Sequence, residues 1–96
     1  MTNLILATIT AYCHCSSCCG KGGQPTASGK MPVEGRTIAA PRNIPLGTKV
    51  IVNGRRYTVE DRTAIRYDGR WDVFMTSHKR AKEFGKKEMV KIQIER

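Results

Sequence analysis

Two aspartates eleven residues apart are the candidates for acid–base chemistry in this chain. Asp61 follows the strand-forming run Tyr57–Val59, and Asp72 lies between Trp71 and Val73. Successive side chains of a strand point to opposite faces, so we expect Asp72 on the face opposite its two apolar neighbours. A hairpin carrying two solvated acids explains the same pattern, because charged side chains normally lie at the surface.

A cluster of cysteines is the second candidate for chemistry. Four cysteines fall within seven residues, namely Cys13, Cys15, Cys18 and Cys19. The spacing of Cys15 and Cys18 is that of half a zinc site, which His14 or His78 would have to complete because no cysteine occurs after Cys19. Disulfides are the alternative and require an oxidising compartment. We favour a role in stapling the following loop over metal binding, and redox catalysis comes third, since no βα unit follows the pair.

The charge of the chain favours a polyanionic partner. The 96 residues carry 17 Lys and Arg against 8 Asp and Glu, a net charge of +9. Such a surface attracts nucleic acid, anionic lipid or an acidic cell-wall polymer, although solubility alone also accounts for it. Only six residues are aromatic and no nucleic-acid-binding motif is present, so we do not expect a nucleic acid partner.

The apolar amino-terminal stretch is too short to cross a membrane. Residues Met1 to Thr10 lack a basic leader and a small-residue cleavage site, and we interpret them as a first strand. We therefore expect no membrane insertion. The chain is either cytosolic when made or a mature form whose export signal has been removed.

The remaining patterns predict one all-β domain over residues 1–96. Alternation and strand formers predict six strands, at Leu4–Tyr12, Thr37–Ala40, Lys49–Val52, Arg55–Glu60, Trp71–Phe74 and Met89–Ile94. Ser77 and Gly85 are the expected caps of a short helix, His78–Phe84. Six short strands with one helix favour a small closed barrel over a sandwich. The loop Gly20–Gly35 is long for such a domain and is typical of a functional segment.

Three blocks of the sequence resemble the 3D (three-aspartate) domain. The first is Ala11-Tyr12 with Cys15-x-x-Cys18 and Thr26-Ala27-Ser28-Gly29, the second Ile38-Ala39-Ala40-Pro41 with Ile44-Pro45-Leu46-Gly47-Thr48, and the third Asp61 with Asp72-Val73-Phe74 and Ser77-His78-x-x-Ala81-x-x-Phe84-Gly85. Order and spacing agree over nearly the whole chain. Two features depart from the family: Ala40 replaces its first aspartate, and Thr63-Ala64 replaces a common glycine pair.

The resemblance implies a six-stranded double-psi β-barrel that acts as a lytic transglycosylase on peptidoglycan. It places the catalytic acid/base on Asp72 and the supporting aspartate on Asp61. Such an enzyme closes the C6 hydroxyl of N-acetylmuramic acid onto C1, so one carboxyl group can donate and then recover the proton. That carboxyl must start protonated, and burial by Trp71, Val73 and Phe74 with a like charge on Asp61 would raise its pKa.

The remaining expectations concern the substrate. The side chains expected to contact glycan are Tyr12, Thr26, Ser28, Glu60 and Trp71. Packing within loop and strand explains the first three equally well. We expect a monomer without cofactor or metal that acts on glycan strands at the bacterial cell wall. Two alternatives are a hydrolase on the same barrel, with Asp61 or Glu60 as second carboxyl, and a non-catalytic, expansin-like module whose Trp71 stacks on sugar.

Overall fold

A computed structural model describes residues 2–13, 26–63 and 69–95 of the chain. These residues form a closed barrel of six strands and one short helix. The strands are β1 Thr2–Tyr12, β2 Thr37–Ala40, β3 Lys49–Val52, β4 Arg55–Arg62, β5 Arg70–Phe74 and β6 Lys87–Glu95, and the helix is α1 His78–Phe84. The all-β barrel with one short helix is therefore confirmed.

The strand order around the barrel is β1-β5-β2-β4-β3-β6, with β6 returning to β1. Two of these pairs are parallel, β1 with β5 and β2 with β4, and the others are antiparallel. Two parallel neighbouring strands cannot be joined by a tight turn, so a crossover connection must link each of these pairs. The double-psi form of that crossing stays a prediction.

Inward side chains from all six strands fill the barrel and form its core. Ile9, Ile38, Val50 and Ile92 are at most 1% exposed. In β1 the side chains of Ala7 and Ala11 pack against this core on the same side as Ile9, because side chains alternate along a strand. The opposite row of β1, which includes Thr10 and Tyr12, therefore lies on the outer face of the barrel.

A bulge in β4 decides which way Asp61 points. Ile38 of β2 pairs with Val59, but the next residue, Ala39, pairs with Asp61, so Glu60 is the extra residue of β4. Val59 points into the core, and strict alternation would also turn Asp61 inward. The bulge reverses the phase and turns Asp61 to the outer face. We predicted that the strand ends at Glu60; it continues through Arg62, so Asp61 lies within the strand and not at its exit.

A second bulge, between β1 and β6, holds a strained residue. Ala7 pairs with Val90 and Ile9 pairs with Lys87, so two residues of β6 lie opposite Thr8. One of them, Met89, has a φ of 58° and is 70% exposed. The left-handed conformation costs a non-glycine residue about 1–2 kcal/mol, and an exposed side chain gains little packing to offset it.

We therefore expect Met89→Gly to stabilise the protein by about 0.5–1 kcal/mol, because glycine adopts positive φ without steric cost. Urea unfolding at neutral pH measures the difference. Lys91→Gly is the matched control: Lys91 is also exposed on β6 but has ordinary backbone angles, and its replacement should destabilise. A Met89→Gly protein that unfolds at lower urea concentration than the wild type would contradict the strain.

Candidate active site

The two predicted acids lie on the outer face of the barrel, on either side of one small residue. Ala39 of β2 pairs with Asp72 of β5 on one side and with Asp61 of β4 on the other. Side chains of directly paired residues project from the same face of a sheet. The methyl group of Ala39 therefore separates two carboxyl groups that face the same way. The acids lie on β4 and β5, which follow one another in the chain but are not paired, because β2 lies between them in the barrel.

The Asp72 carboxyl group lies in an environment that favours its protonated form. Its side chain is half-buried, and this burial raises the pKa of the carboxyl group above its ordinary value of 3.8. The positive charge of Arg70 opposes the rise in pKa, and the negative charge of Asp61 adds to it. The physical consequence is a carboxyl group that keeps its proton to higher pH than a solvated aspartate.

Thr10 is a site residue that the sequence analysis missed. It pairs with Asp72 across the parallel β1–β5 ladder, and its Oγ1 donates a hydrogen bond to Asp72 Oδ1. The alternation of side chains along β1 indicates only that Thr10 lies on the same side of the strand as Tyr12. What the pattern lacks is any signal that β1 and β5 are neighbours, because parallel strands are joined by long connections.

Asp61 is held by three donors. Its Oδ1 accepts hydrogen bonds from the backbone amides of Arg62, at 2.9 Å, and Ala27, at 3.1 Å. Its Oδ2 accepts a hydrogen bond from the hydroxyl group of Tyr12 at 3.3 Å. The Tyr12 ring in turn packs edge-on against Phe74, with 5.4 Å between the ring centroids. Asp61 thus connects β4 to β1 and to the loop that carries Ala27.

The loop that contains Thr26 and Ser28 lies beside Asp61. The Ser28 amide donates to the carbonyl oxygen of Glu60 at 2.9 Å, which fixes the loop to the bulge of β4. Thr26 is 8% exposed, and its hydroxyl group donates to the carbonyl oxygen of Lys30 at 2.7 Å. Thr26 therefore shapes the turn. Ser28 is exposed, as a residue that contacts substrate must be, and Tyr12 is partly exposed.

Besides Thr26, two other residues predicted to contact substrate are buried, so neither side chain is accessible to a ligand at the surface. Glu60 is 3% exposed, and its Oε1 accepts hydrogen bonds from Thr37 Oγ1 at 2.6 Å and from Arg36 Nε at 3.0 Å. A carboxylate that is buried and paired in this way holds loop and strands together. Trp71 is 1% exposed and is the largest fully buried side chain of the described core. It points inward, so it has no exposed ring face for a sugar, and it lies opposite the face that carries Asp72.

Cys13 lies at the end of β1 and is disulfide-bonded. Its partner, like the predicted cluster of His14, Cys15, Cys18 and Cys19, lies outside the described residues. The Cys13 Sγ is 3.4 Å from Nδ1 of His78, the first residue of α1. Within residues 2–13, 26–63 and 69–95, no group of three or more His, Cys, Asp or Glu side chains is arranged to hold a metal ion.

An ion pair at the surface, between Glu34 and Arg80, attaches the segment between the Ser28 loop and β2 to α1. Glu34 Oε1 accepts hydrogen bonds from Arg80 Nη2 of α1 at 2.6 Å and from the amide of Thr76 at 2.7 Å. The hydrogen bond from Arg80 is the main cause that lowers the pKa of Glu34 to about 2. The Glu34 carboxylate is therefore ionised at neutral pH.

The raised pKa of Asp72 predicts a pH dependence of stability. A folded state that holds this proton more tightly than the unfolded chain is stabilised at low pH, and that contribution is lost as pH rises through the folded pKa. Asp72→Asn cannot ionise, so its free energy of unfolding should exceed that of the wild type at neutral pH. The two should converge towards pH 4. Glu34 and the other acids are common to both proteins and cancel from the difference.

Urea unfolding of both proteins across this pH range measures the effect. The account would be contradicted by an Asp72→Asn protein that is less stable than the wild type at neutral pH, or by a difference that does not change with pH.

No protein-family model and no curated protein matches this chain. Among the described residues, no helix is long and apolar enough to span a membrane. The resemblance to the 3D domain therefore rests on the sequence blocks described above.

Proposed function

We propose that the protein is a lytic transglycosylase of the 3D-domain type. It cleaves the β-1,4 bond between N-acetylmuramic acid and N-acetylglucosamine in peptidoglycan and leaves a 1,6-anhydro end. The observation that carries the proposal is the Asp72 carboxyl group, which is half-buried, has a raised pKa and faces out of the barrel beside a second carboxyl group. These are the properties that general-acid cleavage of a glycosidic bond requires.

In the proposed reaction the proton of Asp72 moves to the glycosidic oxygen as the bond from that oxygen to C1 breaks. The C6 hydroxyl of the muramic acid residue then bonds to C1, and its proton returns to Asp72. No water is consumed, and the carboxyl group ends in its starting state. Because Thr10 donates to Oδ1, Oδ2 is the oxygen that carries the proton.

In this proposal Asp61 positions the site and does not exchange protons with the substrate. Its two oxygens accept three hydrogen bonds that hold Tyr12, the Ser28 loop and β4 together. Its negative charge also opposes the ionisation of Asp72 and so favours the acid form at the start of the reaction.

The hydrolase alternative is favoured by one observation, the pairing of both acids with Ala39. Neighbouring strands lie about 4.8 Å apart, so the backbones of β4 and β5 are separated by about 10 Å. Depending on whether their side chains lean together or apart, the two carboxyl groups can reach the separation of a retaining or of an inverting hydrolase. Of its two candidate second carboxyls, only Asp61 faces the site, since Glu60 is buried and paired. The glycan-binding alternative is weakened, because its stacking residue Trp71 is buried.

We expect Asp61→Asn to lower the rate of muropeptide release by about tenfold. Weakening the hydrogen bonds of a charged group costs about 1.4 kcal/mol, and this free energy corresponds to a tenfold change in rate. The change keeps the size of the side chain and one carbonyl acceptor but removes the charge. Release of soluble muropeptides from purified peptidoglycan measures the rate, and circular dichroism checks the fold. A loss as large as that of Asp72→Asn would instead make Asp61 a second catalytic carboxyl and favour the hydrolase.

The proposed site of action is the bacterial cell wall, and the proposed partner is the glycan strand. The net charge of +9 supports this, because peptide carboxylates and anionic polymers make the wall polyanionic. Wild-type protein should both pellet with insoluble peptidoglycan and clear its turbidity. Pelleting without clearance would indicate a glycan-binding module instead.

A further inference from the structure

The barrel has a cavity lined by inward side chains, by the β3–β4 hairpin and by Phe84 at the end of α1, and the Asp72 side chain does not line it. Its volume is about 120 Å³. The floor consists of inward side chains of four strands, Ile9 of β1, Val52 of β3, Val73 of β5 and Val90 of β6. This is close to the volume of an engineered apolar cavity, about 150 Å³, that takes up benzene. The space therefore suits one ring or one branched aliphatic group.

The rim of this cavity is polar and cationic. Asn53 and Arg55 from the β3–β4 hairpin line one side, and Phe84 and Lys87 line the side next to α1. The Lys87 ammonium lies 4.8 Å from the centroid of the Phe84 ring, at the edge of the cavity. None of the residues that line the cavity is acidic.

Neither cation of the rim is neutralised within the described part of the chain. The ion pairs of residues 2–13, 26–63 and 69–95 involve Arg36, Arg56, Arg80 and Lys86, and neither Arg55 nor Lys87 belongs to one. Glu88, the acid next to Lys87 in sequence, instead pairs with Lys86 at 3.5 Å. Two cations above an apolar floor select for an anion with an apolar body.

We propose that this cavity binds a small organic carboxylate with a compact apolar body. The apolar group lies among Ile9, Val52 and Val73, and the carboxylate lies at the rim between Arg55 and Lys87. A free small molecule and the carboxyl-terminal residue of a peptide both present this chemistry. The site does not rest on glycan cleavage, since the Asp72 side chain is outside the barrel.

The test is a titration of the whole protein with 3-phenylpropionate, followed by the NMR signals of its Ile and Val methyl groups. A ligand of this size and polarity should bind with a Kd on the order of 1 mM. We expect saturable shifts of the methyls of Ile9, Val52, Val73 and Val90. The methyls of Ile44 and Ile94, which are buried but do not line the cavity, should move little.

Charge recognition is tested by the neutral amide of the same probe and by matched variants. The amide, Arg55→Gln and Lys87→Gln should each weaken binding by about 2- to 5-fold, the range for one exposed charge contact. Arg56→Gln is the control, because Arg56 is adjacent in sequence, exposed and paired with Glu95 outside the cavity. It should leave the Kd unchanged.

Three results would overturn the proposal: no saturable shift of the cavity methyls, equal affinity for amide and carboxylate, or an effect of Arg56→Gln equal to that of Arg55→Gln. A tetrapeptide ending in phenylalanine identifies the source of the ligand. Binding of the peptide supports a peptide carboxyl terminus, and binding of the free acid alone supports a small molecule.

Discussion

Asp72→Asn should lower the rate of muropeptide release by 100-fold or more, the usual scale for loss of a general acid–base group. Asparagine keeps the size of the side chain and an oxygen that can accept the hydrogen bond from Thr10. It cannot donate a proton to the glycosidic oxygen or take one from the C6 hydroxyl. The loss should therefore lie in the chemical step, while pelleting with peptidoglycan stays near that of the wild type.

The control for this variant is Glu88→Gln, which also removes one negative charge. Glu88 is exposed on β6 and pairs only loosely with Lys86, at 3.5 Å. Its replacement should change neither the rate nor the fold. An Asp72→Asn protein that is folded and releases muropeptides at a near-wild-type rate would remove Asp72 from the proposed mechanism.

Trp71→Ala should destabilise the fold by about 3–5 kcal/mol, the range for emptying a buried aromatic site. The indole is 1% exposed and belongs to the core shared by all six described strands. A small domain has a total stability of about 5–15 kcal/mol, so much of the protein would unfold near physiological temperature. Urea unfolding gives the change in the free energy of unfolding.

Leu6→Ala is the matched control, because Leu6 is 53% exposed on the outer row of β1. Its loss should cost about 0.5 kcal/mol or less. If Trp71→Ala kept wild-type stability but failed to pellet with peptidoglycan, the indole would be a sugar platform after all. The burial of Trp71 argues against that result.

The local elements of the fold could be predicted because their signals lie within a few residues. Ser77 accepts a hydrogen bond from the Arg80 amide, and Gly85 ends α1 at positive φ, so the helix has its predicted bounds. Asn53-Gly54 joins β3 to β4, and the bounds of β2 and β3 were also as predicted. These signals depend on nearest neighbours and not on the rest of the fold.

The arrangement of the candidate site depends on long-range pairing, which the sequence does not encode locally. The phase of Asp61 is set by one extra residue, Glu60, and no residue type marks that bulge. Thr10 and Asp72 are 62 positions apart and meet only because β1 and β5 are parallel neighbours. We expected Trp71 to contact sugar, and it is buried instead. An aromatic residue in a strand suits both roles, which differ only in whether the side chain points into the barrel or out of it.

The most direct test of the proposed reaction is digestion of purified peptidoglycan in water enriched in ¹⁸O, followed by mass spectrometry of the released muropeptides. Intramolecular attack by the C6 hydroxyl consumes no water. The account therefore predicts products that are one water lighter than hydrolysed muropeptides and carry no ¹⁸O at the new end. Products that carry one ¹⁸O at a reducing end would show that water attacks C1, and the protein would be a hydrolase.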